Sequence, residues 1–162
     1  MRLNKIKIFS IFSIFLLILQ GSFCFAEDSK LDKDRRTPFE KYQGAYLGAW
    51  LVCAVTQKKV FLIEQAKAKG VELDPDFYKN TDVSACIKNG LEEMKKEYNN
   101  ILPLVVNESG KTSLENHYVA AIMHVKNTQP RIDEDDNSYM KRMNETKIKT
   151  DELWVRFEIT QP

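Results

Sequence analysis

The chain has little of what most catalytic or nucleic-acid chemistry requires. It holds two histidines, six glycines and three cysteines among 162 residues, and its 24 lysines and arginines are balanced by 23 aspartates and glutamates. This balance excludes the strongly basic face that nucleic-acid binding needs. No Gly-x-Ser-x-Gly, His-Glu-x-x-His, glycine-rich phosphate loop or Cys-x-x-Cys unit occurs. We therefore predict no cofactor and no catalytic residue, and we favour a non-enzymatic protein.

The first 26 residues have the three parts of a secretory signal peptide. Three cations precede an apolar run over residues 8–19, and the small-x-small pattern Cys24-Phe25-Ala26 follows it. A membrane anchor is one alternative, although a spanning helix needs about 20 apolar residues and this run is shorter. Lipidation at Cys24 is another. We expect export to the periplasm or the exterior, with no membrane span after cleavage.

The remainder is long enough for one domain. Residues 27–36 are almost wholly charged and predict a flexible arm, and residues 37–162 form the single globular domain. This part holds two cysteines, Cys53 and Cys86. An even count in an exported chain predicts a disulfide, with two free thiols as the alternative.

The sequence of the first half of the domain predicts two long helices. Thr37-Pro38 followed by Glu40 is a capping box at which the first helix should begin, and Gly70 is a residue at which it should end. A second helix should span about 82–102, and a disulfide would hold the two side by side. The stretch 45–55 is apolar or small on all sides, so we expect it to be buried or covered by a partner.

The last third indicates strands. Residues 153–160 alternate between apolar and other side chains, residues 146–150 also alternate, and 151–152 could form the turn between them. Residues 117–126 fit a helix or a strand, and we favour the strand. The predicted fold is α+β: an N-terminal pair of long helices linked by a disulfide, then a small C-terminal antiparallel sheet. The alternative is an all-α bundle.

Two groups of aromatic side chains are candidate sites. Tyr42, Tyr46 and Trp50 are candidate binding anchors, because aromatics are favoured at interfaces, although they are equally ordinary core residues. His117 and His124, seven residues apart, could hold a metal with a carboxylate if they lie on a helix. Ordinary hydrogen bonds are the favoured interpretation for both histidines.

The remaining candidates are weaker. Asp133 and Asp135 resemble the start of a calcium loop, but position twelve is Asn144 where a glutamate is needed, so a solvated acidic loop is favoured. Gly44 and Gly48 would allow close approach, either of another element of the same domain or of a second copy in a homodimer.

The favoured function is that of a small exported binding protein of the bacterial envelope or exterior, whose partner is another protein. An inhibitor or immunity-type protein is one form of it. The alternatives are a secreted hydrolase with carboxylate chemistry, using the acidic loop at 133–136, and a structural subunit of an envelope assembly. Neither alternative has a sequence signature of its own.

Overall fold

The structure is a computed structural model that describes residues 35–160. The predicted signal peptide over 1–26, and all but the last two residues of the predicted arm over 27–36, lie outside this range. Over 35–160 the chain forms helices joined by short connections, with no strand. The α-helices are α1 (Pro38–Ala68), α2 (Val83–Ile101), α3 (Glu108–Lys126) and α4 (Asp136–Thr160), with 3-10 turns at Pro75–Tyr78 and Leu102–Leu104.

The ends of α1 confirm the prediction from its capping residues. The Glu40 amide donates to Thr37 Oγ1 at 3.2 Å, and the Thr37 amide donates to Glu40 Oε2 at 2.6 Å. Two of the backbone donors at the start of the helix are thereby satisfied. At the other end, Gly70 has φ +65°, a left-handed conformation that glycine adopts without a steric penalty.

The predicted disulfide is present and joins α1 to α2. Cys53 and Cys86 are bonded, with their Cα atoms 5.6 Å apart. The helices run antiparallel, and their backbones approach closely where Gly90 of α2 faces Ala49 of α1. A Cβ atom on Gly90 would lie 2.7 Å from the Ala49 Cβ. One disulfide and one close glycine contact therefore hold α1 and α2 together.

The predicted C-terminal sheet is wrong. Residues 117–126 lie in α3, and 146–160 lie in α4, so the fold is the all-α alternative. Asp151 and Glu152, the predicted turn, lie in the middle of α4.

The helical period of α4 is visible once polar and aromatic residues are counted with the apolar ones. Thr150, Trp154 and Phe157 are spaced by four and three residues, and they form the inner face of the helix. Val155 and Ile159, which supplied half of the apparent alternation, are exposed. The period-two pattern was therefore a mixture of residues from two opposite helix faces.

The hairpin of α3 and α4 packs on the hairpin of α1 and α2, and the core has two centres. The first lies beside the disulfide and includes Tyr46, Met94 and Val125. The second lies toward the start of α1 and the end of α4, and includes Tyr42 and Phe157. Tyr42 and Tyr46 sit one helical turn apart, so the two centres are adjacent along α1.

The contact between Gly90 and Ala49 gives a testable stability difference. Gly90→Ala should lower the free energy of unfolding by about 1–3 kcal/mol, because the added methyl group forces α1 and α2 apart. Gly48→Ala, on α1, is the matched control: its Cβ would meet no atom of residues 35–160 within 4 Å, so better helix propensity should raise that free energy by up to about 1 kcal/mol. Urea titration at nanomolar protein checks both, and equal effects would contradict this packing.

Candidate functional site

The three aromatic candidates lie along the inner face of α1. Tyr42, Tyr46 and Trp50 are spaced four residues apart, which places them on one side of the helix. Tyr42 and Tyr46 are buried and Trp50 is half-buried. Burial leaves the two tyrosines with no surface for a partner. A binding role for Trp50 stays a prediction.

The two candidate histidines meet these tyrosines in the core. His117 and His124 lie two turns apart on α3 and are both buried. Tyr42 Oη and His117 Nδ1 share a hydrogen bond of 2.9 Å, and Tyr46 Oη and His124 Nδ1 share one of 2.7 Å. The structure thus brings together two sets of residues that no sequence pattern connects. We call these four residues the Tyr–His cluster.

Aromatic rings from α1 and α4 close the Tyr–His cluster. Trp50 stacks on His124 with ring centroids 5.1 Å apart, and Trp154 of α4 meets His117 edge-on at 5.0 Å. Sequence reasoning assigned Trp154 to the outer face of a strand and so missed it. The signal that could have found it is its spacing from Thr150 and Phe157 at helical intervals.

The electrostatics of the Tyr–His cluster favour its neutral form. Burial lowers the pKa of His117 and of His124 to about 4, against a weaker opposing effect of Asp151. Burial also raises the pKa of Tyr42 and of Tyr46 above the ordinary value for tyrosine. At neutral pH the cluster is therefore two uncharged hydrogen-bonded pairs, which suits a structural core.

The Tyr–His cluster lacks the ligand set of a metal centre. Both imidazole Nδ1 atoms are engaged by tyrosine, and over residues 35–160 no group of three or more His, Cys, Asp and Glu side chains comes together. Trp50 Nε1 and His124 Nε2 are buried and have no hydrogen-bond partner within that range. These two atoms belong to stacked rings.

The acidic loop before α4 is engaged in structural contacts. Glu134 forms a two-pronged ion pair with Arg142, whose Nε donates to Glu134 Oε1 at 2.7 Å. The hydrogen bond from Arg142 lowers the pKa of Glu134 to about 2. Asp135 accepts from the Ser138 amide, which lowers the pKa of that carboxyl group. Asp133 is exposed beside them. The loop therefore anchors the start of α4.

The outer side of α1 is unusually apolar for an exposed helix face. Five large apolar residues there are between 41% and 58% exposed, and we call them the α1 apolar face: Leu47, Leu51, Val52, Val55 and Leu62. The largest exposed apolar patches of monomeric proteins are often functional. The expectation that residues 45–55 are buried or covered thus holds for one side of the helix within the described chain.

Two glycines, Gly44 and Gly48, and a shallow groove border the α1 apolar face. Within residues 35–160, no atom lies within 4 Å of the position that a Cβ on Gly48 would take, whereas Arg36 Nη1 lies 3.1 Å from that position on Gly44. Gly48 therefore does not serve the close approach of another described element, and that contact is made at Gly90. A groove of about 460 Å³ runs between α1 and α2, lined by small and polar residues that include Gly48, Val52, Ala85 and Gly90.

By length and composition α1 would also qualify as a membrane-crossing segment, and about a fifth of its most apolar stretch is buried. A core helix of a soluble protein or a signal sequence can meet the same criteria. No family model, curated protein or solved structure matches the chain.

Proposed function

We propose that this chain is an exported, non-enzymatic binding protein of the bacterial envelope or exterior, and that the α1 apolar face contacts a partner protein. The observation that carries the proposal is the α1 apolar face itself. Its leucines and valines are held outward by a helix whose opposite side is fully occupied by the core. Burying such a face is favourable by roughly 25 cal/mol per Å².

Two features support export. The leader over residues 1–26 has the organisation of a signal peptide. The disulfide between Cys53 and Cys86 is of the kind that persists in oxidising compartments and is rare in the cytosol. Together they favour the periplasm or the exterior as the location.

A protein suits the α1 apolar face better than the interior of a bilayer. The disulfide and the Gly90 contact hold α2 against the middle of α1. The outer side of α2 carries charged, exposed residues: Lys88, Glu92, Glu93, Lys95 and Lys96. Inserting α1 into hydrocarbon would bring these charges to its edge, at a cost of several kcal/mol.

The other sequence-based functions have less support. A carboxylate hydrolase at residues 133–136 needs two acids facing a substrate, and Glu134 and Asp135 are engaged in the ion pair and the amide contact that anchor α4. An inhibitor remains one form of the proposed binding function. A structural subunit of an envelope assembly remains an alternative to it.

Photo-crosslinking in the cell tests the proposal. A benzophenone side chain replaces Leu51 of the α1 apolar face, or Ile148 on α4, which is the matched control because the two are 55% and 58% exposed. We expect a discrete protein adduct from position 51 and none from position 148. Equal yields, or an adduct only from 148, would contradict the proposal.

A further inference from the structure

We propose that the partner of the α1 apolar face is a second copy of this chain, bound with the two α1 helices antiparallel about a two-fold axis near residues 49–50. This inference rests on the proposed function, since it names the partner for the same surface. Three observations support it: the order of residues along the face, the open space at Gly48, and the available area.

The order of large and small residues makes the face complementary to itself. Gly44, Gly48, Leu51 and Val55 are spaced by four, three and four residues, so they form one stripe. In an antiparallel pair centred between residues 49 and 50, Leu51 of one copy faces Gly48 of the other. Leu51 then enters the notch that Gly48 leaves among the described residues. Val55 faces Gly44, where Arg36 Nη1 lies 3.1 Å from the position that a Cβ would take, so the flexible end of the Arg36 side chain has to move aside for Val55.

The open space at Gly48 supports a contact from outside the domain. A glycine inside a helix is less favourable than alanine by roughly 1 kcal/mol, and no neighbour in the described part of the chain requires a glycine here. Gly48 also lies at the edge of the groove between α1 and α2. A leucine from a second copy could therefore rest at that edge without a steric clash.

The area of the α1 apolar face alone is about half of what a stable interface buries, so we expect a weak dimer. An aromatic side chain buries about 150–250 Å² and an aliphatic one somewhat less, so five aliphatic side chains that are about half exposed present roughly 400 Å². A stable interface buries about 800 Å² per partner. The walls of the groove and the flanking side chains of α1 and α2 would supply the difference, and we expect micromolar association.

Sedimentation of the purified full-length chain, with whatever N-terminus the host leaves, tests the dimer. The wild type should convert from monomer to dimer between about 1 and 100 µM. Leu51→Arg should weaken association at least 100-fold, or about 2.7 kcal/mol, whereas Ile148→Arg should leave it unchanged. Matching circular dichroism and melting curves verify that both variants are folded.

Cysteine pairing tests the antiparallel arrangement without relying on a disruptive variant. Gly44→Cys and Val55→Cys proteins are oxidised separately and as a mixture, with the native disulfide closed. Antiparallel helices predict a cross-linked dimer only in the mixture. Parallel helices would cross-link each protein alone, because like residues would then face each other, and that result would overturn the arrangement.

The failure of this inference can be told apart from the failure of the proposed function. A monomer at 100 µM, together with a cellular adduct to a different protein at position 51, overturns the second copy and leaves the binding function. A monomer with no adduct at position 51 overturns both. Binding of the wild type to phosphatidylethanolamine–phosphatidylglycerol vesicles that is lost in Leu51→Arg would assign the face to a membrane and also overturn both.

Discussion

Lowering the pH from 7 to 4.5 will reduce the free energy of unfolding by roughly 2–3 kcal/mol for each of His117 and His124. Burial holds the folded-state pKa of each histidine near 4, below the ordinary 6.5. The unfolded chain therefore binds more protons than the folded chain between these values. Stability falls as the pH drops through this window and levels off below about pH 4.

The charges near the two histidines change their pKa values less than burial does. Asp151 of α4 favours protonation of both, and Lys147 opposes it at His124, but the effect of burial exceeds each of them. Tyr42 and Tyr46 are uncharged in this range, because burial raises the pKa of their hydroxyl groups. Glu134 acts in a separate window: its folded-state pKa is lowered to about 2, so its contribution is lost only as the pH falls below about 4.5.

Urea titration from pH 7.5 to pH 4.5, followed by tryptophan fluorescence, measures the effect. The control variants are His117→Asn and His124→Asn, which can keep a hydrogen bond at the position of Nδ1 but cannot take up a proton. Each is expected to be less stable than the wild type at pH 7 and to lose less stability on acidification. A wild type equally stable at both pH values would contradict a buried, neutral Tyr–His cluster.

Opening the disulfide is the second change with a large expected effect. Cys53 and Cys86 are 33 residues apart in sequence. In the chain-entropy account, releasing that loop stabilises the unfolded state by about 3.5–4 kcal/mol. Small domains have only about 5–15 kcal/mol of stability in total. A large share of the resistance of this protein to denaturant is therefore expected to depend on an oxidised Cys53–Cys86 pair.

The measurement compares guanidinium unfolding with and without a thiol-free phosphine reductant. The matched control is the double variant Cys53→Ala, Cys86→Ala, whose midpoint the reductant should leave unchanged. The wild type should fall to approximately the stability of that variant when reduced. If reduction leaves the wild-type midpoint in place, the disulfide does not hold α1 and α2 together.

The sequence was informative where local chemistry decides the structure. The capping box of Thr37 and Glu40, the left-handed Gly70 and the pairing of two cysteines each depend on a few neighbouring groups or on simple counting. These signals placed α1 and the disulfide. The proline after α2 placed the end of that helix in the same way.

The C-terminal half was mispredicted because its inner face is not uniformly apolar. Thr150 is fully buried, and its hydroxyl group donates a hydrogen bond to the Thr146 carbonyl. The hydroxyl group therefore has a partner within α4 and can be buried. Trp154 packs on His117 and Tyr42, partners that come from distant parts of the chain. A search for a helical period that considers only aliphatic residues omits both Thr150 and Trp154.

For the candidate site too, the sequence indicates the individual residues but not the contacts between distant parts of the chain. The sequence named Tyr42, Tyr46, His117 and His124 separately, but their pairing spans 75 and 78 residues and depends on how α3 packs on α1. The α1 apolar face was foreseen only as a stretch that would be buried or covered. Which of its sides faces outward is decided by the partner helices.

Side-chain labelling of α1 in its native surroundings measures whether a partner covers the α1 apolar face. Photolysed diazirine reagent is applied to cells or their envelope fraction and to the purified protein diluted to nanomolar concentration. We expect Leu51 and Val52 to be labelled in the dilute protein and protected in the native compartment, whereas Ile148 is labelled in both. Equal labelling of Leu51 in the two samples would show that no partner covers the α1 apolar face, and the proposed binding function would then be wrong.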